Sequence, residues 1–205
     1  MTDGDDLAGL LSARICHDLV GPVGAIFNGL ELIEPGAPLP REEHALMEDS
    51  ARAARAALGF LRLAFGAAED GASPMPLAEL RKLAEAHLGS DRCAFAWPEA
   101  GSELPRPIAR ITALALLSAA RALPRGGVVR LSDVTAAPLS VAVEAEGRHA
   151  AFEPASRSAI EGRADGETPR QAHLLLLRTL ARARGARLVA EEEAERATLR
   201  IEPEA

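Results

Sequence analysis

His17 and Asp18 stand side by side in Ile15-Cys16-His17-Asp18-Leu19-Val20-Gly21-Pro22. A neutral imidazole is a competent nucleophile near neutral pH, and an adjacent carboxylate can orient its ring or manage its proton. The pair alone says little, because a lone exposed helical histidine is usually an ordinary surface residue. Its setting is less ordinary. Gly21 and Pro22 follow inside an otherwise apolar helical stretch, where proline removes an i→i−4 bond at a cost of roughly 3 kcal/mol. A local rule broken without structural need tends to mark a working site. His44, His87, His149 and His173 lack any such setting and are read as histidines without a role. Cys16 and Cys93 offer neither a disulfide framework nor zinc spacing. Neighbours on a helix, Cys16 and His17 point in different directions, so no metal site is expected.

The elements that must carry His17 come next. Apolar residues fall at Cys16, Leu19, Val23, Ile26, Leu30 and Ile33, in alternating steps of three and four, with Val20 and Phe27 widening the stripe. This phase turns His17 and Asp18 outward, toward solvent. Residues 34–40, rich in Pro and Gly, end the first helix. A second helix has its own seam at Met47, Ala51, Ala54, Leu58, Leu61 and Phe65, with Glu48, Arg52, Arg55 and Arg62 opposite. Two helices cannot hide two such stripes against each other alone. A second copy of the hairpin would complete a four-helix bundle in a homodimer.

Residues 1–70 are therefore read as a helical hairpin and 71–205 as a second domain, with a linker at 66–76. The second domain is expected to carry helices over Leu77–Leu88 and 105–123 and strands over 93–97, 128–134 and 139–146. The two longer strands would pair across a turn at 135–138. Thr168, Pro169 and Gln171 carry a capping-box pattern for another helix, closed by Gly185, before strands at 186–190 and 197–202. The fold class is α+β: an antiparallel hairpin followed by a two-layer α/β sandwich.

Bulk properties narrow the function. The chain has 205 residues, 48% apolar and 26% charged, with only 3% aromatic and no tyrosine, so its core rests on Leu, Ala, Val and Ile. A net charge of −7 argues against nucleic acid, since phosphate neutralisation dominates that affinity. Arg178, Arg182, Arg184 and Arg187 read as a solvated helix face. The acidic residues 1–6 do not resemble a signal peptide, and no unbroken apolar run reaches the ~18 residues of a membrane span. A cytoplasmic protein without membrane contact is expected.

His-Asp-x-x-x-Pro at the head of a hairpin resembles the H-box of sensor histidine kinases. The longer string from His17 to Ile26, with Asn28-Gly29-Leu30-Glu31-Leu32 and Phe60-Leu61-Arg62-Leu63-Ala64-Phe65-Gly66, is similar to the ChpT-type histidine phosphotransferases of bacteria. The second domain resembles the kinase ATPase domain in its order of elements but departs from it in its motifs. Leu114 and Ser118 stand where the N-box carries asparagines. Glu144-Ala145-Glu146-Gly147-Arg148-His149-Ala150 replaces Asp-x-Gly-x-Gly, and Gln171-Ala172-His173-Leu174 replaces the phosphate-binding glycines.

The resemblance implies a phosphorelay protein without ATP binding and without a cofactor of its own. His17 would carry the phosphoryl group, with Asp18 orienting it or handling its proton. Arg14, Gly21, Pro22, Arg55 and Arg62 would contact a receiver domain, which would bring its own Mg2+. Gly21 replaces the Thr or Asn of bifunctional kinases, which argues against strong phosphatase activity. The implied partners are the receiver of a CckA-type hybrid kinase and response regulators of the CtrA and CpdR types, in cell-cycle signalling. The competing reading is a non-catalytic, kinase-like dimeric scaffold that sequesters a partner.

Overall fold

Two long helices open the chain in the computed structural model, which describes residues 4–33, 40–66, 73–98, 103–163 and 168–204. They are α1 (Gly4–Glu31) and α2 (Arg41–Phe65). α1 runs unbroken through Pro22, which forfeits only its own bond to the Asp18 carbonyl. Near the closed end Gly29 lies against Met47. An added Cβ at Gly29 would stand 2.6 Å from Met47 Cγ, so glycine lets the two helices approach closely. The expected break at 34–40 lies, apart from Pro40, outside the described residues.

By length and composition Asp6–Glu31 could cross a membrane, with a mean hydropathy of 1.3 over an 18-residue window. Counting unbroken apolar runs passes over it because Arg14, His17 and Asp18 interrupt the stretch. In this structure its apolar residues divide among other elements of the chain and an open face.

The rest of the chain follows in order: β1 (Met75–Pro76), α3 (Leu77–Leu88), β2 (Cys93–Ala96), β3 (Glu103–Leu104), α4 (Arg106–Arg121), β4 (Gly127–Thr135) and β5 (Ser140–Glu146). It ends with α5 (Pro154–Glu161), α6 (Ala172–Arg182), β6 (Ala186–Glu193) and β7 (Arg196–Pro203). Five strands form one mixed sheet in the order β2-β4-β5-β7-β6, parallel only between β2 and β4. β4 and β5 pair across the expected turn. Helices α4 and α6 pack on the sheet, burying Ile111, Leu114, Leu174 and Leu177 together with Val143, Leu199 and Ile201. Cutting one such leucine back to alanine typically costs 2–5 kcal/mol. The α+β reading holds.

Several local expectations need correction. Met75 and Pro76, expected in a linker, pair with Glu103 and Leu104. α5, only eight residues long, goes unread in the sequence. Thr168 does not cap α6, which begins at Ala172 after a turn. The Thr168 hydroxyl instead donates to the Gln171 side-chain oxygen.

The seam of α2 is also shifted. Ser50, Ala57, Phe60, Leu61 and Ala64 are the buried residues, whereas Leu58 is 57% exposed. The reason is that α2 gives one face to α3 and α4 rather than only to α1. Phe60 meets the His87 ring of α3 at 5.1 Å. Arg110 of α4 donates from Nε to the Ala64 carbonyl at 3.1 Å and from Nη2 to the Phe65 carbonyl at 3.3 Å. These are carbonyls that the end of a helix leaves without intrahelical partners. On α1 the residues Val20, Val23, Phe27 and Leu30 stay open.

Candidate functional site

Arg14, His17 and Asp18 occupy positions i, i+3 and i+4 of α1, close together on the helix surface. The His17 side chain is 82% exposed. Its Nδ1 lies 3.2 Å from Asp18 Oδ1, and a proton on Nδ1 donates to that carboxylate. The other carboxylate oxygen, Oδ2, accepts from Arg14 Nε at 2.8 Å. With Nδ1 occupied as a donor, Nε2 carries the free lone pair and faces solvent.

Two expectations change here. Asp18 does not project outward with His17; its side chain is only 11% exposed. Arg14, expected at a receiver surface, is 7% exposed and points into the body of the chain. The physical reason is that α1 packs against α6 as well as α2, so a second face of α1 is covered. A buried arginine needs an acid, and the residue one turn along supplies it. Their i,i+4 spacing was the readable signal.

Gly21 is exposed and Pro22 partly so. From the Gly29–Met47 contact, His17 comes level with Gly59 in α2. Arg55 and Arg62, both exposed, lie about one turn to either side of that level.

Two histidines set aside in the sequence adjoin this pair. Burial lowers His87 below the ordinary imidazole range, with Asp18 opposing and Arg14 adding to the shift. His173, at the start of α6, is wholly buried and pushed down to about 3 by that burial, to which Arg14 adds. The Arg170 carbonyl pulls weakly the other way, yet Nδ1 of His173 has no hydrogen-bond partner among the described residues. Its place beside the apolar run 174–177 was the sequence signal for burial.

Between α1, α4, the segment before α5 and the start of α6 lies a cleft of about 350 Å³. His17 and Arg14 line one side of it, and Ser118 and Gln171 the other. Of the kinase-like positions, Ser118, Gln171, His173 and Leu174 line it, whereas Leu114 and residues 144–150 do not. The Ser118 hydroxyl turns back onto the Leu114 carbonyl at 2.8 Å, and Leu114 is fully buried. His149 adopts a left-handed backbone, and Gly147 donates to the Glu195 carbonyl at 2.9 Å. Among the described residues no three His, Cys, Asp or Glu side chains gather to hold a metal ion.

Residues 77–196 match the family described as the histidine phosphotransferase C-terminal domain. The protein phosphotransferase ChpT of Brucella abortus (strain 2308) is 40% identical over 122 residues, which cover 60% of this chain and 58% of that protein, less than two thirds of its length. A bacterial phosphotransferase solved at 1.7 Å shares 29% identity, with a TM-score of 0.82 over 98% of each chain. A histidine kinase domain from Erythrobacter litoralis EL346 aligns at TM-score 0.48 and 18% identity, covering 93% of this chain and 95% of that one.

Proposed function

We propose, from the premise that this chain belongs to the histidine phosphotransferase family, that His17 relays a phosphoryl group between receiver-domain aspartates. The observation that carries this reading is the His17 ring itself, exposed and held through Nδ1 by Asp18 so that Nε2 is free. In the forward step the Nε2 lone pair attacks the phosphorus of an aspartyl phosphate. A P–N bond forms, the P–O bond breaks, and the receiver keeps its carboxylate. Asp18 stabilises the positive charge that develops on the ring while Nδ1 retains its proton. Transfer to a second receiver reverses these bond changes. In-line phosphoryl transfer depends chiefly on positioning and charge neutralisation. In this reading the docked receiver brings Mg2+, because the carboxylate beside His17 is already committed to Arg14.

Gly21, Pro22, Arg55 and Arg62 are the accessible candidates for receiver contact. ATP has no part in the reaction, since Leu114, Ser118 and the segment 144–150 lack the side chains that would hold its magnesium and adenine. Val20, Val23, Phe27, Leu30, Leu46 and Leu58 form an open apolar surface on the hairpin, which a second copy covers in a cytoplasmic homodimer. The implied partners are a CckA-type hybrid kinase and regulators of the CtrA and CpdR types. Incubation with a labelled phospho-receiver tests the reading. Label should move to the wild-type protein in an acid-labile, base-stable form and never to His17→Ala, which should still dimerise. Partner function intact in His17→Ala would favour the scaffold instead.

A further inference from the structure

The cleft beside His17 has a chemical character that phosphoryl relay between proteins does not use. Three arginines line it, Arg14, Arg121 and Arg170, against one carboxylate, Glu153, which lies 4.0 Å from Arg170. Asp18 balances Arg14 and Glu153 stands near Arg170, which leaves Arg121, bonded to the Arg170 carbonyl, as the excess positive charge of the recess. Arg14 is almost wholly buried, yet only its Nε is bonded, to Asp18. Among the described residues its terminal amino groups make no hydrogen bond.

The amino end of the 11-residue α6 opens onto the same space through Gln171, His173 and Leu174. Among the described residues the backbone N–H groups of Ala172 and His173 have no acceptor, whereas those of Leu174 and Leu175 already donate to the Gln171 carbonyl; the free pair stands at the positive end of the helix dipole. His173 adds an independent sign: a side chain 1% exposed, lining the cleft, whose Nδ1 has no partner among the described residues. A buried polar atom left unsatisfied is costly, and a hydrogen-bonding group in the cleft would relieve it. Phe152 supplies an apolar wall, and the volume lies at the small end of ligand pockets.

We propose that this cleft binds a small organic phosphate, held by Arg14, Arg121 and Arg170 at the amino end of α6, and that its occupancy reaches His17 through the Arg14–Asp18 pair. Phosphate suits the site because guanidinium forks and helix N–H groups both match its oxygens. The organic part lies against Phe152. An anion drawing on the free amino groups of Arg14 shifts that side chain relative to Asp18, and Asp18 holds the His17 ring. Binding itself does not depend on the relay reading; the consequence for phosphotransfer does.

Calorimetry on the full-length protein, without Mg2+, tests this with ribose 5-phosphate and AMP as probes and ribose as the control. Both phosphates should bind and ribose should not. The double variant Arg121→Ala/Arg170→Ala, at two exposed positions, should weaken binding by at least about tenfold with its circular dichroism unchanged. The ring-nitrogen resonances of His17 should move on addition of ribose 5-phosphate. Absence of binding up to about 10 mM overturns the site, as does affinity indifferent to the double variant. Binding of ATP that requires Mg2+ overturns it in favour of a metal–nucleotide pocket. Binding with an unmoved His17 overturns the coupling. Label uptake from a phospho-receiver is scored separately, so loss of the relay and loss of the site give different results.

Discussion

The reactivity assigned to His17 rests on which of its two nitrogens is left free. Asp18 accepts from Nδ1, Arg14 fixes Asp18, and the outward nitrogen becomes the nucleophile. Asp18→Asn keeps the shape but loses the charge that supports the ring during attack. It should slow label uptake from an excess of phospho-receiver by roughly a hundredfold, with His17 still the labelled residue. An unchanged rate would reduce Asp18 to a partner for Arg14. His17 was legible in the sequence because its neighbours break local rules around it. The inward turn of Asp18 and Arg14 was not, since a single apolar seam marks one buried face of a helix and α1 has more than one.

At the scale of elements, the hairpin and the α/β region are joined by specific contacts as well as by shared core. Arg110 closes the carboxyl end of α2 with two hydrogen bonds, and burial holds its guanidinium below the usual arginine range, with Arg184 adding to that. Arg110→Ala leaves the Ala64 and Phe65 carbonyls without that donor and should cost about 1–2 kcal/mol in urea unfolding. No loss would mean that water replaces the arginine fully.

His173 makes a second prediction at this scale. Its folded form stays neutral down to about pH 3, whereas the unfolded chain takes up a proton below the ordinary value of 6.5. The unfolded state therefore binds more protons across that window, and stability falls as the pH drops through it. By about pH 5 the loss should be about 2 kcal/mol relative to neutral pH, with His87 adding in the same direction. Urea unfolding at both pH values should show this slope in the wild type and a shallower one in His173→Leu. Equal slopes would remove His173 as the cause.

For the whole molecule, the open apolar face of the hairpin is the largest unmet demand. Val23 and Phe27 on α1 and Leu58 on α2 are each more than half exposed, which a single soluble chain rarely tolerates in one patch. Phe27→Glu with Leu58→Glu should turn a dimer into a folded monomer in sedimentation velocity. A monomeric wild type would assign that face to another partner.

The sequence alone determined the exposure of His17, the two hairpin helices and the alternation of longer helices with strands. Each of these follows from local periodicity or from a local break in it. Only the tertiary structure decided where Arg14, Asp18, His87 and His173 meet, because those residues come from α1, α3 and α6, far apart along the chain. A stripe on one helix states that something covers it but not which element does. The two-residue strands β1 and β3 are too short to carry a period, and α5 is amphipathic but spans only about two turns. The cleft beside His17 exists only because α1 crosses the start of α6, a packing choice made between distant surfaces and written in neither one alone.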